Sequence, residues 1–138
     1  MPSGVLRRLA AYLWAAPNSL IGLVIGLLGL LGGGSLRRVN GVLEAQGPLL
    51  AWLLARATLL SGGVEALTLG HVVLGRSRAC LERCRRHEAV HVRQYETWGP
   101  FFLPAYFVSS AWQWLEGRDP YRDNRFEREA FTVAPLDD

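Results

Sequence analysis

The sequence predicts a mainly helical domain with a small β element, fronted by an apolar helical segment. Three observations carry that reading. Residues 9–36 hold no charge. Asn40-Gly41 is a hairpin-type turn signal between two short strand candidates. His87 and His91 stand four residues apart in a polar segment, at helical spacing. A chain of 138 residues, half of them hydrophobic, has material for one packed domain and is not disordered.

The apolar run comes first. Arg7 and Arg8 precede it, and Arg37 and Arg38 follow it. It is longer than the roughly 20 residues that cross a bilayer core. Pro17-Asn18 is expected to divide it into a short helix and a longer one from about Ser19. Gly22, Gly26, Gly29 and Gly33 fall on one helical stripe, a close-packing face that a second copy of the chain could use. Residues 1–36 are therefore expected to form a membrane-associated segment, and residues 37–138 the metal-binding domain. The competing reading of the run is a buried helix of a compact domain. A signal peptide fits poorly, because the apolar run continues past the small-residue stretch at residues 11–16.

After the Asn40-Gly41 turn, residues 48–60 read as a core or interfacial helix, too short to span. Residues 66–75 read as a single strand bounded by Gly75, with an edge suited to an extended peptide. Arg76, Arg78, Arg83, Arg85 and Arg86 then crowd together. No aromatic residues interleave with them, so the run reads as a solvated or lipid-facing surface and not as a nucleic-acid interface. Cys80 and Cys84 are four residues apart on a helix, which is poor disulfide geometry. They read as free thiols in a reducing compartment, which places this part of the chain in the cytoplasm.

The chemistry centres on His87-Glu88-Ala-Val-His91, in a helix expected from about Arg78 to Trp98 and stopped ahead of Pro100. One turn apart, the two imidazoles can reach one ion, while Glu88 sits beside it as a base. A catalytic zinc needs three protein ligands and an open position for water. Asp119, Asp123, Glu127 and Glu129 lie downstream, the last two on a helix expected near residues 124–132. Residues 97–115 are uncharged and nearly long enough to span. Were they to cross a bilayer, His91 and Glu127 would emerge ~30 Å apart and could not share an ion. Pro100, Pro104, Gln113 and the serines argue for a core or interfacial segment instead.

The segment from His87-Glu-Ala-Val-His91 through Gln94 and Gly99-Pro100 to Asn124-x-x-Glu127-x-Glu129-Ala130 resembles small bacterial proteins grouped with minimal gluzincin-type zinc metallopeptidases. The resemblance covers about residues 69–131 and implies a zincin-like fold, with a zinc ion and a peptide or protein substrate. It makes His87, His91 and Glu127 the metal ligands and Glu88 the general base. Where many gluzincins follow the Glu-x-x-Ala element with Asp or Asn, this chain has Phe131, so another group must orient the imidazole. Glu129 is the rival third ligand. Two residues from Glu127 on a helix, it points roughly the other way, so both cannot serve.

Around this set, Gln94 reads equally as a ligand or substrate contact and as a surface amide. Tyr106 is expected to pack; Tyr121 is left open between packing and stabilising an oxyanion. His71 reads as a core or edge histidine, and Cys80 and Cys84 as packing residues, because one straight helix cannot wrap four ligands around an ion. Trp98, Trp112 and Trp114 suit a membrane interface or a small core. The competing function, from a different class, is a non-catalytic membrane or assembly protein with a structural or vestigial metal site.

Overall fold

A computed structural model describes residues 2–56 and 63–136. The elements run α1 (Ser3–Leu31), β1 (Ser35–Val39), β2 (Val42–Gln46), α2 (Pro48–Arg56), β3 (Ala66–Leu69), β4 (Val72–Gly75) and α3 (Arg78–Trp98). A single 3-10 turn, Gly99–Phe101, leads into α4 (Phe102–Leu115), and α5 (Arg125–Val133) closes the chain. The protein is mainly helical with one four-stranded sheet of order β1-β2-β4-β3. The tail of the 48–60 run lies outside the described residues; its first part forms α2.

The β1–β2 hairpin turns on Asn40 and Gly41, both at positive φ (52° and 79°), as a two-residue hairpin loop requires. From β2 the chain passes through α2 and returns to form a parallel pair, β2 with β4. Residues 66–75, expected as one strand, are instead a second antiparallel hairpin turning at Gly70-His71. A continuous apolar run hides such a turn, because burial on both faces removes the alternation that would mark it. The outcome leaves β3 at the sheet edge.

Alternation along β4 sets the two layers. Val72 and Leu74 face α1, and Val73 faces Leu81 and Cys84 of α3. Helix α1 lies across all four strands. It is one unbroken helix, contrary to the division expected at Pro17. Pro17 sits on the exposed side, and packing of the opposite side holds the chain helical across the missing N–H. Gly22, Gly26 and Gly29 bring the α1 backbone down onto Val72, Ala45 and Leu50 of the same chain. Gly33, expected on the same stripe, lies past the helix end, at φ 90°. The division expected at residue 36 thus cuts through one shared core, in which Leu23, Leu50, Leu69, Val72, Leu74 and Leu103 meet.

A Cβ on Gly22 would stand 2.8 Å from the Val72 Cβ and 3.1 Å from the Leu69 carbonyl oxygen. Gly22→Leu is therefore expected to destabilise the fold by about 1–3 kcal/mol or more through overpacking. Leu20→Ala, on the exposed side, should change it by less than about 0.5 kcal/mol. Thermal melts of the two variants in detergent-free buffer check this contrast.

Helix α3 starts at Ser77, whose hydroxyl accepts from the Cys80 N–H, and ends at Gly99-Pro100. Arg85 pairs in fork geometry with buried Glu44 of β2, at 2.9 Å for both contacts, and fixes α3 over the sheet. At the other end α1 holds the exit of α3. The Trp14 indole donates to the Thr97 carbonyl and the Asn18 amide to the Gly99 carbonyl. Pro100 breaks the helical path as expected, but Pro104 does not. It falls in the first turn of α4, where no intrahelical N–H is needed. α4 doubles back beside α3 and α5, so the polar motif and the Glu-bearing helix face each other.

Candidate metal centre

His87, Glu88 and His91 are buried on the inner face of α3, and Glu127 is buried at the start of α5. Asn124 caps α5 by accepting from the Phe126 N–H, and its amide donates to the Tyr106 carbonyl and the Ser110 hydroxyl. This lock sets the phase of α5, so that Glu127 points inward while Glu129, two residues on, is exposed. A single oxygen of Glu127, Oε2, stands 3.3 Å from His87 Nε2 and 3.2 Å from His91 Nε2.

The other ring nitrogens settle what those contacts mean. His87 Nδ1 faces the Ala134 carbonyl at 3.1 Å, and a carbonyl only accepts. His91 Nδ1 faces Gln94 Oε1 at 2.8 Å, and that amide is oriented by its own N–H, which donates to the Phe126 carbonyl. Both Nδ1 atoms therefore carry the proton, and in the neutral rings both Nε2 atoms turn lone pairs toward a carboxylate. Such a set repels itself unless a proton or a metal cation sits between its members. Burial opposes charge on Glu127, yet the two imidazoles and the Tyr106 hydroxyl hold its carboxyl down at about 2. Burial likewise opposes charge on His91, yet Glu127 lifts its imidazole to about 9. The cluster calls for positive charge at its centre.

A divalent cation fits. Bonds of about 2.0–2.2 Å at tetrahedral angles set ligand atoms roughly 3.3–3.5 Å apart, close to the two separations observed. Glu88 lies in the same region, its carboxylate and the two ring donors all within 4.8 Å of one another. Proximity alone thus offers two carboxylates as third ligand. Of the two, Glu127 is the one that sets a single oxygen against both Nε2 atoms. Glu88 is held differently, with its Oε2 accepting from the buried Thr68 hydroxyl of β3 at 2.6 Å.

No family model, curated protein or solved structure matches this chain.

A cavity of about 470 Å³ opens beside these groups, lined by Glu88, His91 and Glu127 and walled by Leu67, Leu103 and Phe107. It follows β3, the terminal strand of the sheet. Tyr95, fully buried, ties that strand to α3 by donating to the Thr68 carbonyl. Tyr121 also lines the cavity, with burial first and then Glu127 and Glu88 pushing its phenol above the ordinary range, so it stays protonated.

Three groups escaped the sequence. Tyr106, expected to pack, donates to Glu127 Oε1 at 2.9 Å and fixes the carboxylate. Thr68 carried no signal beyond being a polar residue in an apolar strand. The Ala134 carbonyl supplies the orienting contact that Phe131 cannot; Phe131 instead sets its ring edge-on to His87, 4.7 Å away. A backbone acceptor leaves no trace in residue identity. His71 is remote from the centre, stacked on Tyr12 and bonded to Glu96. Cys84 packs in the core under α3, where burial pushes its thiol up to about 12, a poor state for ligation.

Gln94→Leu removes the acceptor for His91 Nδ1 and the tie to Phe126 together. It is expected to weaken metal affinity roughly 10–100-fold while the chain stays folded. Competition against a chromogenic chelator measures this directly.

Proposed function

We propose that the chain is a zinc-dependent peptidase with a minimal zincin-like arrangement, in which His87, His91 and Glu127 hold the ion. The observation that carries the reading is the single Glu127 oxygen set against both Nε2 atoms, with both Nδ1 atoms already committed to acceptors. Zinc is favoured by the two-imidazole, one-carboxylate donor set, which suits a catalytic ion with one position left open. When bound, it would polarise a substrate carbonyl and lower the pKa of a water.

The protein's own groups supply the rest. Glu88 takes the proton of the attacking water and delivers it to the leaving amine. The Thr68 hydroxyl, on one carboxylate oxygen, keeps the other free for that exchange. Tyr121 can donate to the oxygen that gains charge as the carbonyl becomes tetrahedral. An extended peptide would lie along β3 where it lines the cavity, and the apolar cavity walls would receive one of its side chains. A closed structural site would lack such a cavity, which is why catalysis is preferred to a structural ion.

Helix α1 is long and apolar enough to cross a bilayer, and the protein is read as membrane-associated with the metal centre in the cytoplasm. The test of function is cleavage of a quenched-fluorescent peptide mixture by zinc-loaded protein. Cleavage lost to a chelator and restored by zinc supports the reading; a fully loaded protein that cuts nothing in the mixture sinks it.

A further inference from the structure

Helix α1 carries a second, unpartnered face. Leu6, Leu9, Leu13, Leu20, Val24, Leu27 and Leu31 recur at steps of three, four and seven and are all exposed; Leu13 and Leu31 are 74% and 86% exposed. This stripe lies opposite the glycines that seat α1 on the sheet. Leu49 and Trp52 of α2 continue it, since α1 and α2 pack on the same side of the sheet. So large a contiguous apolar surface marks an interaction site.

The charge on this layer identifies the occupant. Before Glu44 the chain has four arginines and no acidic residue, and α2 adds Arg56, again with no acid. Glu44 is turned to the other side of the sheet, where Arg85 holds it. Arg38, which shares the α1 side of β1 with Leu36, and Arg56 of α2 are exposed on this layer, and Arg56 lies over the Trp52 ring at 5.0 Å; Arg7 turns instead toward Arg93 and Glu96 of α3. A second copy would bring like charges together. An anionic lipid surface would meet both the stripe and the charge.

The fold decides how that surface is met. About 43 Å of helix could cross a hydrocarbon core of ~30 Å. From Ala15 to Gly32, however, its inner side is covered by Tyr95, Val72, Ala45, Leu50 and Leu49. A crossing α1 would carry the sheet to the same depth. Arg38 and the edge strand β1, unpaired on its outer side among the described residues, would then lie in hydrocarbon, where no partner exists for its backbone groups. We infer that α1 lies in the plane of an anionic membrane surface, its leucine stripe immersed and its glycine stripe on the sheet, and does not cross the bilayer. The inference does not depend on what the metal centre does. It gives the cavity a setting, because its lining residues Arg56 and Leu67 are exposed and Leu67 shares the α1 side of β3 with Leu69.

The test uses full-length protein with vesicles of phosphatidylcholine, alone or with roughly a third phosphatidylglycerol. Flotation is expected with the anionic vesicles, weakened by salt and by roughly tenfold or more in the Leu13→Glu, Leu20→Glu, Leu27→Glu triple variant. The orientation is read separately on vesicle-bound protein. Nitroxides go one at a time on Leu13→Cys, Leu20→Cys and Leu27→Cys, in a chain whose native cysteines are replaced by alanine. Equal, shallow depths at all three positions support the in-plane helix. Depths that pass through a maximum mid-helix would show a crossing and overturn it. Failure to bind either vesicle, with self-association abolished in the triple variant, would assign the stripe to a second copy and overturn it as well.

Discussion

Purified protein is expected to carry a single zinc per chain, and His87→Ala and Glu127→Ala should each abolish stoichiometric binding while Glu129→Ala keeps it. The contrast between the two glutamates is the informative part, because they share a helix and a charge. Glu127 is buried with one oxygen against both imidazoles, whereas Glu129 faces solvent on the other side of α5. Loss of a supporting contact alone costs about 10–100-fold in affinity, so loss of a direct ligand should exceed roughly 100-fold. Metal analysis after gel filtration, with circular dichroism to show an intact fold, reads the outcome. Zinc retained in a folded Glu127→Ala variant would shift the third ligand to Glu88 and remove the proposed base. Absence of zinc from folded wild type, after incubation with the ion, would reduce the histidine pair to a buried polar cluster.

The second large effect falls on Glu88. Glu88→Gln keeps the side-chain shape, and its amide oxygen can still accept from Thr68. Metal content should be unchanged, because no ligand is lost. Turnover should fall by about 10²–10⁴-fold, the usual contribution of a positioned base, with KM little altered. Equal zinc in both proteins with equal turnover would refute the assignment of Glu88. A parallel loss of zinc would mean that Glu88 is itself a ligand.

Much of this arrangement is legible in the sequence alone. The bounds of α3 follow from Ser77 at one end and Gly99-Pro100 at the other, and the first hairpin from Asn40-Gly41, because local chemistry decides those features. The facing of His87, His91 and Glu127 follows from helical period plus a short return through α4. Features decided by distant partners were not legible. Pro17 signals a break, but a sheet packed along the other side of α1 overrides it. The apolar stretch around Gly70 gives no period to separate one strand from two. Tyr106 reaches Glu127 across 21 positions and Ala134 reaches His87 across 47, so neither contact could be inferred from spacing. The glycine stripe was legible as a close-packing face, but residue type does not say whose surface fills it.

The seating of α1 has a consequence for how the molecule comes apart. Its inner side closes the core over Leu69, Val72 and Leu74, and its Trp14 and Asn18 hold the carbonyls at the end of α3. Among the described residues α1 packs directly on the sheet and on α3, the helix that carries His87 and His91, so the two are expected to loosen together. Heat or denaturant should melt both in one cooperative transition, and limited proteolysis should release no stable fragment beginning near residue 37.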